Sequence, residues 1–235
     1  MKIRGEEVTE KWFASKLEHF IAGPVNKEKI DKLVDNAVRY GFRTLAFFDS
    51  NAYDYAYERL TGTGIRLGTV FDFQGDASLK TRAVMAADAY KRGVRAADTM
   101  MDLSAIVAKN YKAAVQSIKV ILDNVGPDFE AKVFTFCNED SDLMYAMADC
   151  LQEAGASHCK AYDRNGWGVN MNRIRELRAY LTKAQLKASG NGKYWSGAIA
   201  MGAFAAGADC ISASNAPQIA DELAAVKEVY SNITF

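Results

Sequence analysis

The chain has 235 residues, 49% of them apolar, enough to bury one large core and close to the usual size of a single-domain α/β barrel. Its 29 basic and 29 acidic residues balance and form no block of like charge, which argues against a nucleic-acid or membrane-surface partner and for a small molecule. No run approaches the roughly 18 apolar residues of a membrane span, and the first residues lack the apolar stretch of a secretory signal, so the reading is a cytoplasmic protein.

In chain order, the periodicity predicts a helix over 27–40 stopped by Gly41, a strand at Thr44-Leu45-Ala46-Phe47-Phe48 and a helix over 52–61. A strand at Arg66-Leu67-Gly68-Thr69-Val70-Phe71 and a helix over 77–92, stopped by Gly93, come next. The phrase Gly93-Val94-Arg95-Ala96-Ala97-Asp98 reads as a turn and a buried strand. Then come a helix over 110–124, a strand at Ala131-Lys132-Val133-Phe134-Thr135-Phe136 and a helix over 140–154 ended by Gly155. The phrases Gly155-Ala156-Ser157-His158-Cys159-Lys160 and Ala184-Gln185-Leu186-Lys187 flank a helix over 171–182, and each ends as a strand on a lysine. A helix over 195–206, Gly207, a strand at Cys210-Ile211-Ser212 and a helix over 217–229 complete the chain.

Eight such β-then-α units without a Pro-rich or Ser-rich linker fit a closed (β/α)₈ TIM barrel, one domain over residues 1–235. An open doubly wound sheet would want a Gly-rich phosphate turn after its first strand, whereas Gly62-Thr63-Gly64-Ile65 precedes a strand. Trp12, Phe13, Phe20, Phe47, Phe48, Phe71, Phe73, Phe134 and Phe136 fall where aromatic rings fill a barrel core.

Chemistry in a barrel collects where strands end and βα loops begin. That places Glu18, His19, Asp49, Asp72, Asp98, Asp102, Lys160, Lys187 and the stretch Ser212 to Asn215 on the shortlist. Cys137, Cys150, Cys159 and Cys210 lack C-x-x-C spacing and read as reduced, buried thiols. His19 and His158 are the only histidines, too few for a three-ligand metal site; the reading needs no metal and no cofactor.

Two strand-end lysines converging on one pocket suit amine catalysis. A Schiff-base lysine must be neutral near pH 7, about three units below the ordinary ~10.4, at a cost of about 4 to 5 kcal/mol. A second ammonium about 5 Å away supplies roughly 3 kcal/mol at an effective dielectric of ~20, and partial burial can supply the rest. For any single lysine, simply reaching solvent is the commoner fate. Only the pair in context distinguishes these two.

The order and spacing of several phrases resemble the 2-deoxyribose-5-phosphate aldolase family, class I aldolases on a (β/α)₈ barrel, from about residue 17 to 221. Leu17-Glu18-His19 is similar to an opening Ile-Asp-His, and Thr69-Val70-Phe71-Asp72-Phe73-Gln74-Gly75 to Thr-Val-x-x-Phe-Pro-x-Gly. Ala97-Asp98-Thr99-Met100-Met101-Asp102 lines up with Ile-Asp-Met-Val-Ile-Asn. Gly155 to Lys160 resembles Gly-Ala-Asp-Phe-Val-Lys, and Leu186-Lys187-Ala188-Ser189-Gly190 resembles Val-Lys-Ala-Ser-Gly. The resemblance implies that Lys160 is the nucleophile, Lys187 lowers its pKa and Asp98 relays protons. It implies substrate contacts from Glu18, Asp102, Gly190, Lys193, Ser212, Ser214 and Asn215, a sugar phosphate or aldehyde as substrate, and a homodimer.

The departures concern phosphate. Thr-Ser-Thr-Gly after the nucleophile becomes Ala161-Tyr162-Asp163-Arg164, followed by Asn165-Gly166-Trp167-Gly168. Gly-Gly-Ile-Arg-Thr becomes Gly190-Asn191-Gly192-Lys193-Tyr194, and Gly-Thr-Ser-Ser becomes Ser212-Ala213-Ser214-Asn215, where Asn215 and Pro217 also make an ordinary helix start. Asp102 stands in place of an asparagine, and would either repel an anionic substrate or pair with Lys132. The expectation is an aldolase cleaving 2-deoxyribose 5-phosphate or a related keto or deoxy sugar phosphate. The alternative is a catalytically silent barrel whose Asp163, Arg164 and Trp167 contact a ligand or partner.

Overall fold

A computed structural model describes residues 1–164, 168–190, 192–223 and 225. Eight parallel strands close into one barrel: β1 Leu17–Ile21, β2 Thr44–Phe47, β3 Arg66–Phe71, β4 Ala96–Thr99, β5 Glu130–Phe136, β6 His158–Tyr162, β7 Gln185–Ser189 and β8 Cys210–Ala213. β8 pairs with β1, Ser212 lying opposite Glu18.

The intervening helices form where local chemistry starts and stops them. Asn26 accepts a hydrogen bond from the Lys29 amide at the start of Lys27–Tyr40, and Gly41 ends that helix at φ 76°, a left-handed position that costs a glycine little. Ile30, Val34 and Ala37, three or four residues apart, form its buried stripe. Asp140 and Gly155, the latter at φ 86°, bracket Ser141–Ala154 in the same way, and Ser78, Asn110, Asn170 and Ser196 cap four more helices. Of the helix expected over 217–229, Ala216–Asp221 is described, while residues 224 and 226–229 lie outside the described residues.

The first residues, without an assigned role in the sequence, form a small hairpin of Lys2–Ile3 with Glu6–Glu7 and a short helix, Glu10–Ala14. Arg4 donates to the Gly207 and Ala208 carbonyls at 3.2 Å each and pairs with Asp209 at 3.1 Å, tying this segment to the loop that enters β8.

Inside the barrel, β3 passes so close to β2 that a Cβ on Gly68 would meet Thr44 Cγ2 at 2.7 Å and Ala46 Cβ at 3.0 Å. Only a glycine leaves that approach open. The predicted aromatic core is partly corrected. Phe13, Phe47, Phe71, Phe134 and Phe136 are buried, but Phe48 and Phe73 are 42% and 41% exposed, at the mouth where the strands end.

Candidate active site

The strands carrying the two lysines run two residues further than the sequence reading placed them, so Lys160 and Lys187 lie mid-strand, opposite each other in register. That depth leaves them 5% and 1% exposed. The strand period of two does the rest: Lys160 and Tyr162 share a side of β6, Lys187 and Ser189 a side of β7, Lys132 and Phe134 a side of β5.

The charged groups form one alternating line across the barrel. Asp98 of β4 bridges the two lysines, with Oδ2 at 2.6 Å from Lys160 Nζ and Oδ1 at 2.6 Å from Lys187 Nζ. Lys187 also lies 2.5 Å from Glu18, which accepts a short hydrogen bond from Lys132; Lys132 in turn is 3.2 Å from Glu130. Arg43 pairs with Glu130 at 2.6 Å at the bottom of the line and donates to His158 Nε2 at 3.2 Å.

Burial and charge act on these groups in different directions. Burial is the largest influence on Lys160 and lowers it; Asp98 opposes, Lys187 assists, and the amine comes to about 8. Burial also disfavours the charged form of Lys187, but the Asp98 and Glu18 carboxylates outweigh it and raise this lysine above its ordinary value. For Asp98 and Glu18, burial is outweighed by the flanking ammonium groups, and both carboxyls sit below their ordinary values, Glu18 well below. One amine is therefore readily neutral and the other stays charged. For Lys160 itself, burial lowers the amine more than the second ammonium does, which the sequence argument had put first; the second carboxylate, Glu18, sets Lys187 apart.

Above Lys160 a cavity of about 190 Å³ opens toward the C-terminal ends of the strands. Asp98 and Lys160 form its floor, Ser189 and Gly190 one side, and aromatic rings most of the rest. Lys160 Nζ stands 4.0 Å from the centroid of the Phe134 ring.

The candidate residues separate accordingly. Asp98, Lys160, Lys187 and Gly190 come together at or just beneath this cavity. Glu18 does not line it: at 2% exposure it holds Lys132 and Lys187 from below. Asp102 is not among the lining residues either. Its carboxylate accepts from the Ala105 amide at 2.9 Å and starts the helix Leu103–Val107, while Lys132 pairs with Glu18 and Glu130 instead. Asp49 and Asp72 serve their loops, Asp49 capping Asn51 and Asp72 accepting from the Gly75, Asp76 and Ala77 amides and pairing with the buried Arg82.

Ser212, Ser214, Asn215 and Lys193 are absent from the cavity lining. Ser212 is buried beside Glu18 and Ser189 in the sheet. A Cβ on Gly192 would meet Ser214 Oγ at 2.5 Å, so the loops after β7 and β8 touch just outside the cavity. Asn215 makes no side-chain cap; its Nδ2 donates to the Trp195 carbonyl at 3.1 Å. Arg164 lies 5.3 Å over the Phe136 ring, and Trp167 and Asn191 fall outside the described residues.

The aromatic wall was the part missed in the sequence. Its signal was present: Glu18 and Phe20, Lys132 and Phe134, Lys160 and Tyr162 repeat a charged residue followed at i+2 by a ring, which on a strand stacks the ring above the charge.

No protein-family profile matches the chain. Curated relatives do. It is 27% identical over 216 residues to the deoxyribose-phosphate aldolase of Caldanaerobacter subterraneus subsp. tengcongensis, covering 89% of this chain and 92% of that one. It is 26% identical over 219 residues to the deoxyribose-phosphate aldolase of Clostridium kluyveri, covering 89% and 97%. Among solved structures, the tetrameric deoxyribose phosphate aldolase of Aeropyrum pernix superposes with a TM-score of 0.81 at 23% identity over 93% of each chain, which supports the barrel fold.

A parallel barrel with a buried amine against a carboxylate, together with these relatives, defines a lyase of the class I aldolase type. Within that class the chain resembles the deoxyribose-phosphate aldolases, at 26–27% identity over most of its length.

Proposed function

We propose that Lys160 is the nucleophile of a reversible aldol reaction, on a chain that forms one barrel domain. The observation that carries this is the Asp98 bridge, which sets a lysine of pKa about 8 and a permanently charged lysine on the two oxygens of one buried carboxylate. At pH 7 about one Lys160 in ten is neutral, against fewer than one in a thousand for an ordinary lysine.

Neutral Lys160 adds to an aldehyde carbonyl; Asp98, at 2.6 Å, passes one amine proton to the former carbonyl oxygen, and a second proton, drawn from solvent, lets that oxygen leave as water. In the resulting iminium, the C2–C3 bond of a 3-hydroxyaldehyde breaks as its C3 hydroxyl loses a proton. The enamine left on Lys160 is protonated at carbon and hydrolysed, restoring the amine. Lys187 remains an ammonium and disfavours protonation of Lys160 between turnovers.

The relatives' name makes 2-deoxyribose 5-phosphate, cleaved to acetaldehyde and glyceraldehyde 3-phosphate, the first substrate to test. Phosphate contacts would fall on Gly190, the Gly192–Lys193 turn and Ser212 to Asn215. The homodimer implied by the resemblance and the cytoplasmic location expected from the sequence belong to the same proposal, and sedimentation of the purified chain decides the first. The activity test is release of acetaldehyde from 2-deoxyribose 5-phosphate and from 3-hydroxyaldehydes without phosphate. Turnover abolished by Lys160→Met supports the reaction; turnover unchanged by Lys160→Met refutes it.

A further inference from the structure

The cavity over Lys160 is built unlike a site for a hydroxylated, phosphorylated acceptor. Phe20 and Phe48, at the ends of β1 and β2, stack with centroids 5.8 Å apart and planes 21° from parallel. Across the mouth, Phe73 meets Phe134 edge-on at 5.3 Å and Tyr162 at 5.9 Å, and Phe134 meets Tyr162 at 5.1 Å. These rings belong to separate elements and fix one another, so the walls are stiff.

Among the described residues, the polar groups lining the cavity are Asp98, Lys160, Ser189 and Tyr162, besides the Gly190 backbone. Lys160 is the only cation among the described lining residues, and it is committed to Asp98 and to the carbonyl carbon. A sugar phosphate inside this space would face rings where its hydroxyls and dianion need donors. Phe48 and Phe73 nevertheless stay two-fifths exposed at the rim, an apolar surface that awaits a cover. The volume, about 190 Å³, suits a compact carbonyl compound rather than a large cofactor.

We infer that the acceptor half-site takes an apolar, unphosphorylated aldehyde, aromatic or short-chain aliphatic, held between the Phe20–Phe48 stack and the Phe73–Phe134–Tyr162 cluster. This rests on Lys160 being the aldol nucleophile. Acetaldehyde condenses with Lys160, losing water, and the iminium gives up a Cα proton to become the enamine. The enamine carbon bonds to the carbonyl carbon of the acceptor, whose oxygen takes a proton. Water then releases the 3-hydroxyaldehyde and the free amine, so one donor and one acceptor give one product. In the reverse direction the substrate is a 3-hydroxyaldehyde bearing an apolar group at C3. Ring contacts favour that group because it is desolvated at little cost, whereas a phosphate is not.

Two measurements separate this inference from the reading beneath it. With acetaldehyde as donor, kcat/KM for benzaldehyde and hexanal is expected to exceed that for glyceraldehyde 3-phosphate by at least tenfold, and Phe48→Ser to erase most of the difference. A preference for glyceraldehyde 3-phosphate in the wild type, with Lys160 labelled by acetaldehyde and borohydride, overturns the acceptor assignment alone. Binding of 4-fluorobenzyl alcohol, which has no carbonyl, is read by fluorine NMR and is independent of Lys160 chemistry. Binding weakened at least fivefold by Phe48→Ser and not competed by inorganic phosphate supports the aromatic half-site even in an inactive Lys160→Met protein. Absence of binding, or displacement by phosphate, overturns it.

Discussion

Replacing Lys187 with Met would remove a charge that shares Asp98 with Lys160. The two nitrogens each lie 2.6 Å from a different oxygen of that carboxylate. At about 5 Å separation and an effective dielectric of ~20, the lost repulsion is about 3 kcal/mol, or some two pKa units. Asp98, left with one partner, pulls in the same direction. Lys160 should therefore rise from about 8 to about 10 or above. At pH 7.5 its neutral fraction would fall from about a quarter to below about one in a hundred, and modification of Lys160 by aldehyde and borohydride would slow by a factor of about 100. The assay is the pH dependence of that modification rate from pH 6 to 10.5. Wild type should climb to a plateau with a midpoint near 8, Lys187→Met should show its midpoint about two units higher, and Lys187→Arg, which keeps the charge, should stay near wild type. Glu18 retains Lys132 in the variant, so the barrel should still fold. A midpoint that stays near 8 in Lys187→Met would refute the electrostatic argument.

Asp98→Asn should lower the Lys160 midpoint, because the carboxylate raises it, and yet slow Schiff-base formation by about 10² to 10⁴ through loss of the proton relay; pre-steady-state trapping across pH separates the two effects. Glu18→Gln removes one of the two carboxylates that hold each of Lys132 and Lys187 and should cost about 3 kcal/mol in urea unfolding at pH 7. Because the Glu18 carboxyl is held below its ordinary value of 4.5, its contribution is full above that pH and fades as pH falls toward the folded value, so the gap between wild type and variant should narrow below about pH 4.5. Gly68→Ala should destabilise by about 1 to 3 kcal/mol in thermal melts, since the new methyl meets Thr44 and Ala46 on the adjacent strand. The thiols of Cys137, Cys159 and Cys210 are pushed by burial to about 12 and that of Cys150 to about 11, so iodoacetamide at pH 7.5 should label none in the native protein and all four after denaturation.

The barrel was legible because its punctuation is local. Gly41 and Gly155 stop helices by adopting positive φ, and a helix expected over 27–40 forms over Lys27–Tyr40. The lysine pair and Asp98 were visible as phrases in order along the chain. Their depth was not: the sequence marked Lys160 and Lys187 as strand ends, but Ala161–Tyr162 and Ala188–Ser189 continue the ladder, and pairing with the neighbouring strand decides where a strand stops. The partners of Glu18 and Asp102 were hidden for a related reason. A carboxylate near a strand end can meet substrate, a lysine or a helix amide, and only register shows that Glu18 faces Lys132 and Lys187 while Asp102 turns to the Ala105 amide. Phe20, Phe48 and Phe73 were placed in the core because apolar character does not distinguish a filled interior from a lined cavity.

The central claim is that one particular lysine forms the Schiff base. The most direct test incubates the purified protein with acetaldehyde and borohydride at pH 8, measures intact mass and maps the modified peptide. The account predicts a single added ethyl group on Lys160, with no adduct in Lys160→Met and Lys187 unmodified. An adduct on Lys187 with Lys160 untouched, or an unmodified protein with every small aldehyde and ketone tried, would contradict it.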